Sequence, residues 1–542
     1  MSRAESREVH PYELLPQPPT DAEKYAYLGR RHRWFAFYTL GALGLTVAAI
    51  IRLTFMGGVT RLLWPLAALM FTWALVSFVS TCRGRRMNLP DHLAKVTGWR
   101  PAGAYPSVDV YLPSCGEPMS VLRNTYRAVG QLEWAGELNV WVLDDSARPE
   151  VARMANEFGF HYRTRPNRGY MKKAGNLIFG YGQSAGDLIL VLDADFAPRP
   201  DMLNEMVPYF DDETIGILQS PQHFDAHPAM PWIQRASGVE QRMFYRLIQT
   251  SRDTVDGAIC VGTCAIYRRA ALENSEGFAQ IGHSEDVHTG VNLIRAGYKV
   301  RYLPVILAKG LCPETFSGYV NMMYRWCTGS LSLLADPRFH ATPMRRAQRA
   351  CYWSGFLFYV MTAVTVAFGS VPAIIVLWFY PSHVHPLNSL SLIPSFFGAL
   401  FVLPALLGTR RVMDLLRLRI VYAYCFAQAV VDFARGRSAG WVPSGVKTRT
   451  PLGDKVRRKI VWWGGTMQAI TWVGIYRGVL VHGLGQYSLM VTVNALSLLV
   501  WLAVAQPGSG LPESPAEALV AQIPAQRTDS LPAPVDALAS RD

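Results

Sequence analysis

The chain has 542 residues, enough for several domains, and 50% of them are hydrophobic while only 17% are charged. This composition is too apolar for an ordinary soluble enzyme and too charged for membrane helices alone. It predicts a soluble catalytic domain carried by membrane spans. The net charge is +13, with Arg and Lys beside apolar runs as at the cytoplasmic flanks of spans, and no stacking-aromatic motif indicates nucleic acid binding.

The eight cysteines are scattered and form no CxxC pair. Cys260 and Cys264 lie close together, but no His or Cys partners complete a zinc pattern. Reduced cytoplasmic thiols are therefore expected.

The N-terminal part predicts two spans, Phe35–Ile51 and Leu62–Val79, each near the ~20 residues that a bilayer requires. Residues 1–34 are polar, so the first apolar segment starts too late for a cleavable signal peptide, and no small-residue cleavage site follows it. An even pair of spans places the N-terminus and the following domain on one side of the membrane, which the basic flanks predict to be cytoplasmic.

From about residue 105 to 345, short β-rich runs alternate with helical stretches, which predicts a mostly parallel sheet with covered faces. The predicted strands are Val108–Leu112, Leu138–Leu143, Leu188–Leu192 and Ile215–Gln219. The first three carry acids: Asp109 lies within the first, Asp144 and Asp145 follow the second, and Asp193 and Asp195 follow the third. Acids at the carboxyl edge of such a sheet indicate a crevice for a nucleotide and a metal.

Asp193 and Asp195 stand one residue apart after an apolar run, so alternation puts both carboxylates on one side of the chain. They repel each other unless a cation lies between them, and a hard divalent ion prefers oxygen ligands. The alternative is a solvated turn, in which Asp and Pro are also common.

Three further groups have a chemical and a plainer interpretation. Lys173, in Lys172–Asn176, suits a diphosphate, but paired lysines are more often a solvated face. Asp286, before a predicted helix Val287–Ala296, suits a general base, although capping explains acids at a helix start. Arg325 and Trp326 suit a leaving group and a sugar ring, although both residues also anchor helices at membrane boundaries.

After Pro343 the chain returns to membrane-type sequence, and about six spans are expected in total. Thr409–Arg437 has apolar residues at helical spacing among charges, which predicts an amphipathic helix in the membrane interface; a poorly hydrophobic span is the alternative. The expected organisation is 1–34 cytoplasmic segment, 35–82 two spans, 105–345 catalytic domain, 352–407 two spans, 409–437 interface helix, 438–459 basic loop, 460–505 two spans, and 506–542 disordered tail.

The ordered acidic motifs resemble those of one family. Asp109, Asp144-Asp145, Asp193-x-Asp195, Ser284-Glu285-Asp286 and Arg325-Trp326 are similar to the D, D, DxD, TED and QxxRW signatures of processive family 2 glycosyltransferases, above all cellulose synthases, with hyaluronan and chitin synthases as relatives. Lys173–Asn176 and Gln219–Pro221 resemble the KAGN and QTP segments, and Cys260–Thr263 resembles the acceptor-contacting Cys-Gly-Ser region with one residue inserted. The likeness covers about residues 105–345.

This resemblance implies a fold, a cofactor and a set of roles. The fold is an α/β domain of the GT-A type inserted in a helical membrane bundle, and the cofactor is Mg²⁺ or Mn²⁺. The implied roles are Asp286 as catalytic base; Asp109, Asp144, Lys173, Asp193 and Arg325 for the donor nucleotide; Asp195 with Asp193 for the metal; Trp326, Cys260, Gly262, Thr263 and Glu285 for the acceptor; and Trp441, Val442 and Lys447 in a gating loop.

Two positions depart from the family pattern. Ser284 replaces Thr, and Met322 replaces the Gln of QxxRW, which removes a polar contact from the site. No cyclic-dinucleotide receptor domain is expected in the short tail.

The expected function is polymerisation of a UDP-sugar, UDP-glucose into a β-glucan such as cellulose, with export of the chain through the enzyme's own channel in the plasma or inner membrane. The expected partners are the donor, the growing polysaccharide, the bilayer and export subunits, without nucleic acid. The alternatives are addition of one sugar to a lipid, synthesis of a hyaluronan-, chitin- or mannan-like polymer, and an export subunit without transferase activity.

Overall fold

The computed structural model describes residues 14–29, 33–440 and 449–506, and the elements below are numbered in chain order. The strands are β1 Val108–Ser114, β2 Leu138–Asp144, β3 His161–Arg163, β4 Leu188–Val191, β5 Ala197–Pro198, β6 Ile215–Gln219, β7 His223–Phe224, β8 Ala265–Arg268, β9 Lys299–Tyr302 and β10 Ala308–Gly310. The α-helices up to the end of the sheet region are α1 Asp21–Lys24, α2 Arg33–Thr54, α3 Trp64–Thr81, α4 Leu89–Val96, α5 Met119–Val129, α6 Pro149–Glu157, α7 Lys172–Tyr181, α8 Met202–Met206, α9 Trp232–Met243, α10 Thr250–Asp253, α11 Arg269–Glu273 and α12 Glu285–Arg295. The later α-helices are α13 Phe316–Ala335, α14 Pro337–Ala341, α15 Arg346–Phe368, α16 Val371–Phe379, α17 Ile393–Phe397, α18 Leu403–Leu407, α19 Val412–Ala434, α20 Pro451–Lys459, α21 Gly465–His482 and α22 Leu484–Ala505.

The catalytic region is built on a seven-stranded sheet of order β3-β2-β1-β4-β8-β6-β9. The strands β3, β2, β1 and β4 run parallel, and so do β6 and β9, as the alternating pattern predicts. All four predicted strands are present. They are buried because α-helices cover the sheet, and their continuous apolar runs supply two faces of core.

Strand β8 is antiparallel to both of its neighbours, β4 and β6. Its first residue, Ala265, pairs with Val191 and Gln219, the last residues of those strands. The segment before β8, residues 260–264, therefore arrives at the carboxyl edge of the sheet, beside the acids that follow β4. A small second sheet of order β5-β10-β7 adjoins this edge.

Among the residues described, five helical segments are long and apolar enough to cross a membrane, judged by length and composition. They are Arg33–Thr54, Gly58–Thr81, Arg346–Phe379, Pro386–Leu407 and Leu484–Ala505. Within 460–505, where two spans are expected, residues 460–482 form a π-helical turn and then α21, which carries Gln468 and Arg477 and is not among the five. The described residues thus contain five candidate spans, against about six expected.

The segment expected to be an interface helix, Thr409–Arg437, forms α19. It contacts α9, α13, α15 and α22, and its buried residues include Leu418, Val421, Cys425 and Ala429. The helix therefore lies between the catalytic region and the apolar helices, where it joins the two.

The N-terminal segment is attached to the catalytic region by a buried charge network. Lys24 lies 2.7 Å from Asp201 and 2.5 Å from Glu205, and His92 of α4 lies 2.5 Å from the other oxygen of Glu205. Burial alone would raise the pKa of Glu205, but the hydrogen bonds from His92 and Lys24 lower it overall. Glu205 is therefore the acid that holds both α1 and α4 against α8.

We expect Glu205→Ala to destabilise the protein by about 3–5 kcal/mol, because it leaves Lys24 and His92 buried without their shared acid. Thermal unfolding of the solubilised chain measures this. Glu157→Ala is the matched control, since its ion pair with Arg123 is exposed and contributes less than about 1 kcal/mol. Equal stability of the two variants would contradict the assignment.

Candidate active site

One large cavity of about 1310 Å³ begins at the carboxyl edge of the main sheet and continues to the apolar helices. The charged and aromatic residues that line its catalytic end are Glu117, Asp145, Lys173, Asp193, Asp195, Glu285, Asp286, Arg325 and Trp326. The structure thus brings together residues from six separate segments, and all except Glu117 belong to motifs singled out from the sequence.

Lys173 connects the acidic segment after β4 to the segment before β8. Its ammonium forms an ion pair with Asp193 and donates a hydrogen bond to the carbonyl oxygen of Gly262 at 2.7 Å. Burial alone would lower the pKa of Lys173, but the carboxylates of Asp193 and Glu285 raise it overall. Lys173 therefore remains charged where a diphosphate and the acids would meet.

Asp195 lies in an excess of negative charge. Burial, and then the charges of Asp193 and Glu117, raise the pKa of Asp195 to about 8. A cation relieves such repulsion, and carboxylate oxygens are the ligands that Mg²⁺ or Mn²⁺ takes. The residues present therefore fit a divalent ion, and enclosure in a cavity argues against the simple solvated turn.

A second group of metal-type ligands lies elsewhere, among Glu23, His223 and Asp225. The ammonium of Lys309 already lies 2.9 Å from Glu23 and 3.1 Å from Asp225. The lysine supplies the positive charge in that cluster, so it serves as an ion network that attaches the N-terminal segment.

Asp286 stands in the first turn of α12. Its Oδ1 accepts a hydrogen bond of 2.8 Å from the backbone N–H of Val287, and Gly262 lies against its other oxygen. A Cβ at position 262 would approach Oδ2 to 2.9 Å, and Gly262 also has a φ of +75°. Burial, and then the charge of Glu285, raise the pKa of Asp286 to about 7. A carboxyl group with this pKa suits general base work near neutral pH.

The capping interpretation of this segment holds only in part. Ser284 makes no side-chain cap and adopts a left-handed backbone with φ 55°, which is unusual for a residue other than glycine. Its side chain points at α13, where a Cβ on Gly329 would lie 1.6 Å from its Oγ. Gly329 therefore allows the Ser284–Asp286 segment to approach α13.

Arg325 and Trp326 lie on α13 and line the cavity one turn before Gly329. Burial lowers the pKa of Arg325, although the charges of Glu285, Asp193 and Asp286 act in the opposite direction. Met322, where the family motif has Gln, is buried and lines the same cavity, so the wall is apolar at that point.

Donor binding by Asp109 stays a prediction, and the structure places this residue away from the carboxyl edge of the sheet. It is the second residue of β1, about 17 Å from the carboxyl edge at ~3.3 Å per residue. Its buried carboxylate accepts hydrogen bonds from Trp141 at 3.0 Å, the N–H of Gly186 at 2.6 Å and Arg269 at 3.2 Å. Asp109 is a structural acid at the opposite edge of the sheet.

Asp144 lies at the carboxyl edge of the sheet, but it is not among the described residues that line the cavity. Its buried carboxylate accepts hydrogen bonds from Ser146, the N–H of Arg148 and the hydroxyl of Tyr162. The neighbouring Asp145 lines the cavity instead and is held at 2.6 Å by Arg165. The donor role therefore fits Asp145 better than Asp144.

The acceptor-type residues lie in the segment before β8. Cys260 lines the cavity, and its sulfur lies 3.1 Å from the hydroxyl of Tyr267. The buried hydroxyl of Thr263 accepts the N–H of Asp193 at 2.8 Å. Thr263 thus positions the segment that carries Asp193 and Asp195, while Gly262 contacts Asp286.

The gating-loop residues Trp441, Val442 and Lys447 lie outside the described residues. Both flanks of this segment are attached to α13. The N–H of Ala439 donates to the hydroxyl of Tyr324 at 3.2 Å, and the N–H of Thr450 donates to Ser317 at 3.2 Å. The loop therefore begins and ends on the helix that carries Arg325 and Trp326.

Two residues beside the predicted acids were not singled out from the sequence: Glu117 lines the cavity, and Arg165 lies behind its wall. Glu117 follows β1, and its side chain accepts the N–H of Cys115 at 2.7 Å. Arg165, in the loop after β3, is buried and binds Asp145. An acid just after a predicted strand was the available signal for Glu117, whereas nothing in the sequence places Arg165 beside Asp145.

Comparison with known proteins agrees with this geometry. Residues 109–275 match the model of the family described as "Glycosyl transferase family 2". This segment is similar to family 2 glycosyl transferases.

The relatives of this glycosyl transferase domain include two cellulose synthase catalytic subunits named UDP-forming. One, from Komagataeibacter xylinus, is 32% identical over 279 residues, which is 50% of this chain and 36% of that protein. Another, from Xanthomonas axonopodis pv. citri (strain 306), is 33% identical over 266 residues, which is 47% of this chain and 35% of that protein. The chain thus matches little more than a third of their length, and the expected resemblance to cellulose synthases is confirmed for this segment.

Among solved structures, a mannosyltransferase from Pyrobaculum calidifontis in complex with GDP-Man and Mn²⁺ aligns with 72% of this chain and 99% of its own. The sequence identity is 14% and the TM-score is 0.48.

We expect Gly329→Ala to reduce sugar transfer at least about 100-fold, because the added methyl group displaces Ser284 and with it Asp286. Release of UDP from the nucleotide sugar measures the rate. Gly44→Ala on α2 is the matched control, because a Cβ there meets nothing within 4 Å. A Gly329→Ala enzyme with wild-type turnover would show that this approach does not position the base.

Proposed function

We propose that the chain is a membrane-embedded, inverting, processive glycosyltransferase that polymerises a UDP-sugar, most simply UDP-glucose into a β-glucan. One observation carries the proposal: Asp195, Asp286 and Trp326 line one cavity that continues along the apolar helices. The family 2 domain and its UDP-forming cellulose synthase relatives support the donor class.

The donor lies at the carboxyl edge of the sheet. Asp145 and Arg165 border the nucleotide end, and Lys173 and Arg325 face the diphosphate. Asp195 and Asp193 would hold the Mg²⁺ or Mn²⁺, which offsets the charge of the diphosphate when bound. Lys173 and Arg325 then stabilise the negative charge that grows on the departing UDP.

The acceptor lies between Asp286 and Trp326. Asp286 takes the proton of an attacking hydroxyl, whose oxygen forms the new bond to the anomeric carbon as the bond to UDP breaks. Attack from the face opposite the leaving group inverts the configuration. Trp326 offers a stacking surface for the terminal sugar, and Cys260 and Glu285 complete the wall.

The cavity also supports export of the product. Beyond Trp326 its wall includes Phe358 and Tyr359 of α15 and Tyr422 and Phe426 of α19. Stacked aromatic rings suit sugar rings, and a wall that reaches the apolar helices offers a path across a membrane. The basic flanks of the first helices support a cytoplasmic location for the catalytic domain.

The test of this function is incubation of membranes that contain the chain with a panel of radiolabelled UDP-sugars, followed by product sizing and linkage analysis. A long polymer from UDP-glucose supports the proposal. A single addition to lipid supports the non-processive alternative, and no UDP release with any donor, with or without metal, supports an export subunit and contradicts the proposal.

Substitution of Asp195 tests whether this residue binds the metal. We expect Asp195→Asn to weaken Mn²⁺ binding in the presence of UDP by more than about tenfold, since even the loss of an outer-sphere partner costs this much. Electron paramagnetic resonance of free Mn²⁺ measures it. Glu273→Gln, which neutralises an exposed acid on α11, is the control and should bind normally. Unchanged binding by Asp195→Asn would refute the metal assignment.

The pH dependence of kcat/KM tests whether Asp286 is the base. Because the pKa of Asp286 is raised to about 7, the base is protonated below that pH and active above it. We expect kcat/KM to fall as pH decreases through about 7. Asp286→Asn should lose about 100- to 10,000-fold in rate and show no such limb. A variant that still makes polymer at the native rate would disprove the base assignment.

A further inference from the structure

Arg252 is a buried arginine that lines the cavity. It lies on α10, at the end of the long helical stretch that runs from α9 through a π-helical turn at residues 244–249. The residue is 4% exposed and lines the cavity between α3 and α15. Its charge is therefore enclosed at the level where the apolar helices begin.

The neighbours that bind Arg252 are neutral. Its Nη2 donates to Ser354 of α15 at 2.8 Å, its Nε donates to Ser80 of α3 at 3.4 Å, and the Ser354 hydroxyl donates to Ser80 at 3.1 Å. Among the described residues no carboxylate forms an ion pair with Arg252. The adjacent Asp253 is engaged instead with Arg301, at 2.8 Å.

Such an arrangement is unfavourable for the empty protein. A buried charge is normally paired, because burial removes its hydration without replacement. Burial lowers the pKa of Arg252 accordingly. The two serines use one Nε–H and one Nη2–H, and no described residue accepts a hydrogen bond from Nη1. The guanidinium therefore has N–H groups available to donate hydrogen bonds to a ligand in the cavity.

The position of Arg252 lies along the path that leaves the transfer site. Trp326 and Ser330 are one turn apart on α13, and the hydroxyl of Tyr359 bonds to Ser330. Tyr359 is little more than one turn beyond Ser354 on α15. Its ring packs edge-to-face with Phe426, with 4.8 Å between the ring centroids. The lining therefore changes from the Trp326 platform to aromatic rings beside one enclosed guanidinium.

We propose that Arg252 is an acceptor-binding residue that holds the growing saccharide after the transfer site by donating hydrogen bonds to its oxygen atoms. The inference rests on the proposed function and identifies a residue that determines product length. A saccharide offers many hydroxyl and ring oxygens, which suit unused guanidinium donors. Ser80 and Ser354 fix the guanidinium plane, so the contact is made without further ordering of the side chain.

The consequence concerns release of the chain and not binding of the donor. Mean product length is the ratio of the transfer rate to the rate at which the chain dissociates. Loss of a hydrogen bond from a charged donor should accelerate dissociation about tenfold. Arg252→Gln should therefore shorten the product about tenfold while the KM for the UDP-sugar stays within about twofold of wild type.

The experiment uses the full chain in membranes with the UDP-sugar that it accepts, and product length, donor KM and thermal unfolding are measured together. Arg252→Lys, which keeps a charged donor, should recover part of the length. Arg346→Gln is the matched control, because it removes the same charge from the exposed start of α15, outside the cavity. It should make wild-type product.

A folded Arg252→Gln enzyme that makes wild-type product would overturn the inference. If Arg252 variants do not fold, Ser354→Ala loosens the guanidinium without removing it and should shorten the product; wild-type length there would also overturn the inference. Binding of cellohexaose to the solubilised chain, measured without donor, separates the two proposals. If the wild-type chain transfers no sugar but Arg252→Gln lowers its affinity for cellohexaose, the proposed function is contradicted. The proposed contact between Arg252 and a saccharide is then still supported.

Discussion

The repulsion among carboxylates at one edge of the sheet is the constraint on which the site depends. Asp193, Asp195 and Glu285–Asp286 arrive from two distant segments, and their charges meet inside one cavity. Lys173 and Arg325 offset part of this charge, and a divalent ion with a diphosphate would offset the rest. Burial, and then this crowding of charges, raise the pKa values of Asp195 and Asp286. The fold holds these acids close because sheet and helix packing fixes the segments that carry them.

Close backbone approaches make this convergence geometrically available. Gly262 lets the segment before β8 contact Asp286, and Gly329 lets α13 contact Ser284. The same helix then presents Arg325 and Trp326 to the cavity and receives both flanks of the 441–448 segment through Tyr324 and Ser317. Helix α13 is thus the element that joins base, leaving-group contact and acceptor platform, and small residues are needed wherever another segment meets it.

Local sequence was sufficient where local patterns carry the information. Apolar runs bounded by turn residues predicted four strands of the main sheet, and ordered acidic motifs predicted that Asp193, Asp195, Asp286, Arg325 and Trp326 share a site. Asp109 is the second residue of the predicted strand Val108–Leu112, but the sequence does not show which groups bind its carboxylate. The register of β1 and the neighbouring residues show how this carboxylate is bound: it accepts hydrogen bonds from Trp141, Gly186 and Arg269.

The sequence by itself therefore determined the class of chain: apolar helices around a family 2 domain, with the acids of a nucleotide and metal site in order. The tertiary structure alone decided which acids face the cavity, since Asp145 and Glu117 do so and Asp109 and Asp144 do not. It also decided that β8 is antiparallel, which brings Cys260–Thr263 to the site, and that Arg252 opens on the same cavity. The physical reason is that burial and partner choice depend on contacts between residues far apart in the chain, and periodicity does not encode these.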